Sequence, residues 1–215
     1  MGSDGVVYIV DDEEAVRRSI ARLVRSAGLR AETFPTAQAF LAQKVGDEPA
    51  CLVLDVRLPG QSGFDLQAAM GEAQRGMPII FITGRASVPM SVRAMKEGAV
   101  DFLEKPFDGE ALLESVQQAL AKSRERREAE TERSAIAGRL ATLSPREREV
   151  LALVVRGMLN KQIAGILGAA EKTIKIHRGR VMKKMDAGSV ADLVRMTYTV
   201  GFSPALVPAH PSMPL

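Results

Sequence analysis

Polar side chains that could act together chemically stand directly after short β-type runs in the first half of the chain. They are Asp11, Asp12, Asp55, Thr83 and Lys105. In an open parallel α/β sheet the carboxyl ends of the strands converge, and ligands bind in the crevice outside them. Three carboxylates would repel one another there unless a hard cation lay among them, and Mg²⁺ is the usual occupant of such an oxygen site. The pattern therefore predicts a Mg²⁺ site flanked by a hydroxyl and an ammonium, which suits a phosphoryl group.

Alternating strand and helix patterns through residues 1–121 position these side chains. We predict strands at residues 6–10, 31–34, 51–55, 78–83 and 100–103. We predict helices at residues 14–27, after a cap at Thr36, at about 64–74, at 88–97 and at 108–121. The helices are indicated by apolar residues at helical spacing and by glycines where they end. Five strand–helix units joined by right-handed crossovers form a doubly wound α/β fold.

Charge divides the chain into an acidic and a basic half. Residues 1–121 hold 12 Lys or Arg and 17 Asp or Glu, a net charge of −5, whereas residues 122–215 hold 17 and 9, a net charge of +8. A basic half indicates a polyanionic partner such as nucleic acid, although basic surface can also serve solubility alone. One cysteine, Cys51, excludes an internal disulfide, and its predicted buried strand suggests an inert thiol.

The sequence shows no sign of a membrane or export segment. No apolar stretch approaches the ~20 residues of a membrane span. The N-terminus is too short and too acidic for a signal peptide. We therefore expect a cytoplasmic protein without a membrane partner.

The second half is predicted to be helical. Residues 122–140 read as a mixed-charge, solvated helical linker, residues 141–202 as an all-α domain and residues 203–215 as a proline-rich tail. Within the all-α domain, helices are predicted from Ser144 to Val155 and at residues 160–167, 171–185 and 190–200.

Two local patterns mark the start of this domain. Ser144 and Glu147 have the spacing of a capping box, which begins a helix. Ile136, Leu140 and Leu143 follow one another at helical spacing just before it. They could pack on the second domain or on a partner chain.

The helix predicted at residues 171–185 has two distinct faces at 100° per residue. Ile174, Val181 and Met185 should face the core. The opposite face carries Lys172, Lys175, Ile176, Gly179, Arg180 and Lys183. A basic face with an aliphatic contact and a glycine suits the DNA major groove, and the alternative is a solvated charged face. We expect base contacts from the N-terminal half of this face and phosphate contacts from Lys161, Lys183 and Lys184.

The motifs resemble those of a known family. Residues 1–121 resemble the receiver domain of two-component response regulators in the phrases Val-Tyr-Ile-Val-Asp-Asp-Glu, Leu-Asp-Val-Arg-Leu-Pro-Gly-Gln-Ser-Gly, Phe-Ile-Thr-Gly and Asp-Phe-Leu-Glu-Lys-Pro-Phe. Residues 143–200 resemble the LuxR-type helix-turn-helix in Leu-Ser-Pro-Arg-Glu-Arg-Glu-Val-Leu and Asn-Lys-Gln-Ile-Ala. The whole chain is similar to response regulators of the FixJ/NarL type.

This resemblance implies roles for the polar residues of the first domain. Asp55 would be the phosphoacceptor, and Thr83 and Lys105 would bind phosphoryl oxygens. Phe102 would be the aromatic switch. The ligands of Mg²⁺ would be Asp12 and Asp55 directly, Asp11 through water and the backbone carbonyl of Arg57.

The resemblance also implies partners. A sensor histidine kinase would donate the phosphoryl group, double-stranded DNA would be bound, and RNA polymerase is a further candidate partner. Phosphorylation would promote a homodimer through the helix from Val88 and the strand from Val100, with Val92, Met95 and Lys96 at the contact. Relatives usually carry Ser or Thr before the recognition helix, where this chain has Ala169 and Ala170.

Two other functions compete with this interpretation. A phosphohydrolase of the haloacid dehalogenase type would also use an aspartyl phosphate and Mg²⁺. Such enzymes have a second Asp two residues after the nucleophile, and Arg57 occupies that position here. Alternatively, the C-terminal helices could bind protein instead of DNA, against which the basic face argues. We therefore expect a regulator and not an enzyme.

Overall fold

The computed structural model describes residues 5–71, 74 and 76–203. The chain divides into two compact units, residues 1–128 and 129–215. The predicted proline-rich tail lies outside the described residues except for Ser203. Within the described ranges, no helix has the length and apolar character that crossing a membrane requires.

A five-stranded parallel sheet forms the centre of the first unit. Its strands are β1 (Val6–Val10), β2 (Arg30–Phe34), β3 (Ala50–Asp55), β6 (Ile79–Thr83) and β7 (Asp101–Glu104). A hairpin of β4 (Arg57–Leu58) and β5 (Gln61–Ser62), which was not predicted, follows β3. The strand order is β2-β1-β3-β6-β7. Because this order reverses between β1 and β3, a crevice lies outside the carboxyl ends of these two strands.

Helices cover both faces of the sheet. They are α1 (Glu14–Ser26), α2 (Ala37–Leu41), α3 (Gly63–Ala69), α4 (Val88–Lys96) and α5 (Gly109–Ala141). Successive residues of β1 point to opposite faces: Tyr8 packs in a core with Phe40 and Phe64, and Ile9 in a core with Leu112. The predicted doubly wound α/β fold is confirmed.

The third helix is shorter than the sequence predicts. It ends at Ala69, and Met70 leaves the helical conformation with a ψ of 124°. The Met70 side chain is buried in the core on that face of the sheet. Because the chain turns there to bury Met70, the prediction that the helix reaches about residue 74 was wrong.

Burial in the sheet also sets the protonation of the single cysteine. Cys51 lies in β3 and is fully buried. Burial raises the pKa of its thiol to about 12. The predicted inertness of this thiol has a clear physical cause, because the thiolate is the reactive species.

Helix α5 continues through the segment predicted as a linker. Its first linker residues are not fully solvated, contrary to the prediction. Ser123 is buried, and its Oγ accepts a hydrogen bond from the backbone N–H of Ala50 at 3.0 Å. Arg127 Nη2 donates to the carbonyl oxygen of Gly46 at 2.9 Å. These contacts fix this part of α5 on the start of β3 and on the segment before it. The exact domain boundaries stay a prediction.

Helices form the second unit. They are α6 (Pro145–Val154), α7 (Asn160–Leu167), α8 (Glu171–Met185) and α9 (Val190–Thr199). The aliphatic core of this unit includes Ile136 and Leu143, with Leu140 packed against it. Of the two alternatives, these residues therefore pack on the second unit. The predicted capping box is confirmed, since the Glu147 N–H donates to Ser144 Oγ and the Ser144 N–H to Glu147 Oε2, at 3.3 and 2.9 Å.

Candidate functional sites

Three acidic side chains meet at the carboxyl ends of β1 and β3. One carboxylate oxygen from each of Asp11, Asp12 and Asp55 lies within 4.8 Å of the others. Asp11 and Asp55 are buried, and Asp12 is exposed. Carboxylate oxygens are preferred Mg²⁺ ligands, and a cation would offset the repulsion between them. The chemistry of this cluster fits the predicted Mg²⁺ site.

Lys105 reaches into the cluster from the position directly after β7. Its Nζ donates to Asp11 Oδ2 at 2.6 Å and to Asp55 Oδ2 at 2.7 Å. Burial alone would lower the pKa of Lys105, but its hydrogen bonds to Asp11 and Asp55 and their negative charges raise that pKa overall. The amine therefore stays charged at neutral pH and places a cation beside Asp55.

The backbone after β3 fixes Asp55 in position. Asp55 Oδ1 accepts a hydrogen bond from the N–H of Arg57 at 2.8 Å. Gly63 returns to the end of β3, where its N–H donates to the carbonyl oxygen of Val56 at 2.8 Å. A Cβ at position 63 would lie 2.5 Å from the carbonyl oxygen of Asp55. A side chain there would therefore displace the backbone that carries Asp55.

We expect Gly63→Ala to lower the free energy of unfolding by about 1–3 kcal/mol, the usual cost of overpacking. The same substitution at the exposed Gly71 is the control, because no atom of the described residues lies within 4 Å of a Cβ added there. Urea titration followed by circular dichroism measures both variants. Equal unfolding midpoints for the two variants would contradict the close approach at Gly63.

Thr83 and Phe102 stand on the two neighbouring strands. Thr83 ends β6 and is buried; its Oγ1 accepts from the N–H of Arg85 at 3.3 Å and lies 3.5 Å from the Arg85 carbonyl oxygen. Both distances are long, so the hydroxyl is weakly held and can turn to a better acceptor. Phe102 is half-buried in β7 and packs at the edge of the core. The roles of Thr83 and Phe102 stay predictions.

Helix α4 presents apolar surface to solvent. Val92 and Met95 are 46% and 52% exposed, and Lys96 is exposed beside them. Arg93 turns towards α3, with its guanidinium 4.3 Å from the ring centroid of Phe64. The predicted dimer-contact residues therefore share an accessible helix surface.

In the second unit, polar contacts fix α6, α7 and α8 on one another. Arg146 of α6 donates to the carbonyl oxygen of Leu167 at the end of α7. Arg178 of α8 donates to Asn160 Oδ1 at the start of α7 at 3.1 Å. Gly168, with a φ of 60°, ends α7 and allows the short turn into α8. This arrangement of α7 and α8 is a helix-turn-helix.

The two faces of α8 are distributed as predicted. Ile174, Val181 and Met185 are buried. The residues of the opposite face are exposed, namely Lys172, Lys175, Ile176, Gly179, Arg180 and Lys183. Lys161 is exposed in the first turn of α7. Helix α8 begins after Ala170 without a hydrogen bond from a capping side chain.

Lys184 does not belong to the outward face. Its Nζ donates to Glu147 Oε2 at 2.6 Å and to the carbonyl oxygen of Thr142 at 3.0 Å. Glu147 is buried, and removing the partner of a buried charge is costly. The ammonium of Lys184 is already bound within the unit, although its side chain is 39% exposed, and its contact with a DNA phosphate stays a prediction.

Sequence analysis missed two residues of the first site. Glu13 Oε1 lies 3.4 Å from Lys105 Nζ, and the unbroken acidic run from Asp11 to Glu14 could have indicated it. Gly63 follows Ser62 at the start of α3, and the sequence there signals only a helix N-terminus.

Comparison with known families accounts for both units. Residues 7–117 match the family described as "Response regulator receiver domain", and residues 141–197 match "Bacterial regulatory proteins, luxR family". The chain belongs to the response regulators. It is 50% identical over 198 residues to Nodulation protein W of Bradyrhizobium diazoefficiens, covering 92% of this chain and 87% of the relative. It is 44% identical over 199 residues to Transcriptional regulatory protein FixJ of Azorhizobium caulinodans, covering 93% and 94%.

Two solved structures match nearly the whole chain. Response regulator StyR shares 44% identity and a TM-score of 0.81, covering 91% of this chain and 99% of that chain. Full-length FixJ from B. japonicum shares 40% identity and a TM-score of 0.54, covering 94% and 100%. This response regulator therefore joins a receiver domain to a LuxR-type DNA-binding domain, as transcriptional regulators of the family do.

Proposed function

We propose that this response regulator accepts a phosphoryl group on Asp55 from a sensor histidine kinase and then binds double-stranded DNA as a homodimer in the cytoplasm. The bond between Lys105 and Asp55 within the carboxylate cluster carries the proposal, because it gives a receiver domain a charged, anchored acceptor. RNA polymerase is a further proposed partner, since a transcriptional regulator acts on its recruitment or progress.

The proposed phosphoryl transfer uses Asp55 as the nucleophile. One of its carboxylate oxygens bonds to phosphorus as the bond from phosphorus to the kinase histidine nitrogen breaks, and the histidine takes up a proton. Lys105, already bound to Asp55 Oδ2, stabilises negative charge on the transferred group. Thr83, whose hydroxyl is weakly held, donates to a phosphoryl oxygen.

The residues around Asp55 would also hold Mg²⁺. In the proposed site Asp12, Asp55 and the backbone carbonyl of Arg57 would hold the ion directly, and Asp11 would act through water. This donor set consists of oxygen atoms alone, which is what Mg²⁺ requires. Bound there, Mg²⁺ would screen the charge of the carboxylates from that of the incoming phosphoryl group.

Helix α4 and strand β7 form the proposed dimer surface. Val92, Met95 and Lys96 are the proposed contacts, and their exposure supports this assignment. Phe102 of β7 packs against the core that contains Ala94 of α4, and β7 pairs with β6, which Thr83 ends. A short packed route therefore joins the acceptor site to this surface. A two-fold dimer would match a two-fold operator.

We expect acetyl phosphate with Mg²⁺ to raise the sedimentation mass of the full-length protein towards that of a dimer. Val92→Asp should prevent this increase, because it buries an unpaired charge in the contact. The same protein should bind its operator more tightly when phosphorylated, and Val92→Asp should lose that gain. The operator is the duplex recovered from a random-sequence library by selection with the phosphorylated protein.

Gln38→Asp is the matched control for this experiment. It adds the same charge to an exposed position of α2, and we expect it to dimerise as the wild type does. A phosphorylated Val92→Asp protein that still sediments as a dimer would contradict the α4 surface. Failure of phosphorylated wild type to recover any DNA sequence would contradict the proposed function.

A further inference from the structure

Lys184 joins the ends of three helices in the second unit. It lies in the last turn of α8, and its Nζ reaches the carbonyl oxygen of Thr142, which directly follows α5. The same Nζ bonds at 2.6 Å to the carboxylate of Glu147, in the first turn of α6. A cation is favoured beside the C-terminal carbonyls of a helix and an anion in a first turn. Each group therefore stands where the helix dipoles favour its charge.

Glu147, the carboxylate partner of Lys184, is buried in the second unit. Its side chain is 4% exposed, so it is not available to DNA. The hydrogen bond from Lys184, followed by that from the Ser144 backbone, lowers the pKa of Glu147. It accepts from the Ser144 N–H at 2.9 Å as well, so one carboxylate both caps α6 and binds α8.

Arg139 of α5 makes a second connection to the same end of α8. Its Nη1 donates to the carbonyl oxygen of Met185 at 3.4 Å, and its Nη2 lies 3.2 Å from Asp186 Oδ2. The other end of α8 begins after Ala170 without a side-chain cap. The polar contacts of Lys184 and Arg139 thus hold the C-terminal end of α8 against the C-terminal end of α5.

We propose that Lys184 is a positioning residue for DNA recognition: by holding the last turn of α8 on α5 and α6, it sets the angle at which the outward face of α8 meets the major groove. This inference rests on the proposed DNA-binding function. Helix α8 has 15 residues and is therefore about 22 Å long. A rotation of about 5° at its C-terminal end moves the N-terminal half by about 1–2 Å, enough to spoil hydrogen bonds to base edges.

Two substitutions test the proposal in the full-length phosphorylated protein. Lys184→Met removes the ammonium and keeps an apolar stem, and Glu147→Gln removes the charge but keeps an acceptor for the capping box. We expect each to weaken operator binding about tenfold and binding to a scrambled duplex less than about twofold. The double variant should be no weaker than the single ones, and the salt dependence of binding should not change.

Lys183→Met is the control, because Lys183 is exposed and adjacent. As a phosphate contact, it should weaken both duplexes alike and reduce the salt slope by about 1. If Lys184→Met behaves like Lys183→Met, or if Glu147→Gln leaves operator binding unchanged, the positioning role is overturned. Should Lys184→Met lack helical circular dichroism at the assay temperature, Glu147→Gln decides the question alone. If the wild type itself binds neither duplex, the proposed DNA-binding function is contradicted. That outcome differs from the variant results above, in which the wild type binds its operator.

Discussion

Acetyl phosphate is expected to add one phosphoryl group to the wild-type protein in the presence of Mg²⁺ and none to Asp55→Asn. The amide of Asn is not a nucleophile for this transfer, and Asp55 is the acidic residue held jointly by Lys105 and the Arg57 N–H. Intact mass spectrometry measures the result as an increase of about 80 Da, the size of one phosphoryl group. EDTA should abolish the increase in the wild type, because carboxylate and phosphoryl charges would then repel each other.

Asp47→Asn is the matched control for this loss. Asp47 is an exposed carboxylate outside the acidic cluster, so its variant should be phosphorylated to the wild-type extent. An added mass of about 80 Da that persists in Asp55→Asn would overturn the assignment of the acceptor. An increase in wild type that is insensitive to EDTA would overturn the Mg²⁺ site and leave the acceptor in place.

Lys175→Ala is expected to weaken operator binding by about 5- to 150-fold and to leave binding to a scrambled duplex nearly unchanged. Lys175 is exposed in the N-terminal half of α8, the part that meets base edges in helix-turn-helix docking. Loss of a base contact costs about 1–3 kcal/mol and relaxes sequence preference, which gives this range. Binding isotherms on both duplexes over a salt series measure the effect.

Substitutions of two other basic residues in the second unit show whether the effect of Lys175→Ala comes from a base contact or only from the loss of a positive charge. Lys183→Ala should weaken both duplexes equally and lower the salt slope by about 1, as a phosphate contact does. Arg195 is exposed on α9 and pairs there with Asp192, and we expect Arg195→Ala to change neither affinity. If Lys175→Ala weakens both duplexes to the same degree, α8 docks differently or Lys175 contacts only the backbone.

The central fold and the acidic cluster could be predicted because both follow from local patterns. β1 and α8 have the predicted bounds, since Val6–Val10 is a short apolar run and Ile174, Val181 and Met185 repeat at helical spacing. The meeting of Asp55 with Lys105, 50 residues later, needed only one further rule, that parallel strands end at the same edge of the sheet. That rule does not depend on knowing the order of the strands.

The contacts that sequence analysis missed are ones that no local pattern encodes. Lys184 lies at the boundary between the two faces of α8, so helical angle alone could not choose its side. Its partner Glu147 is 37 residues away, and the two side chains meet only because α6 packs on α8. The close approach of Gly63 to Asp55 likewise depends on how the hairpin β4-β5 returns the chain to β3. Both require the three-dimensional course of the backbone.

The buried thiol of Cys51 makes this chain suitable for site-directed spectroscopic labelling. Burial raises the pKa of this thiol to about 12, so very little thiolate forms at neutral pH, and maleimides and oxidants react with the thiolate. Because the sequence contains no other cysteine, one introduced at an exposed position would be the single reactive thiol. Two cysteines introduced in this way would carry two dyes, and the distance between them could be followed during phosphorylation while β3 keeps its native sequence.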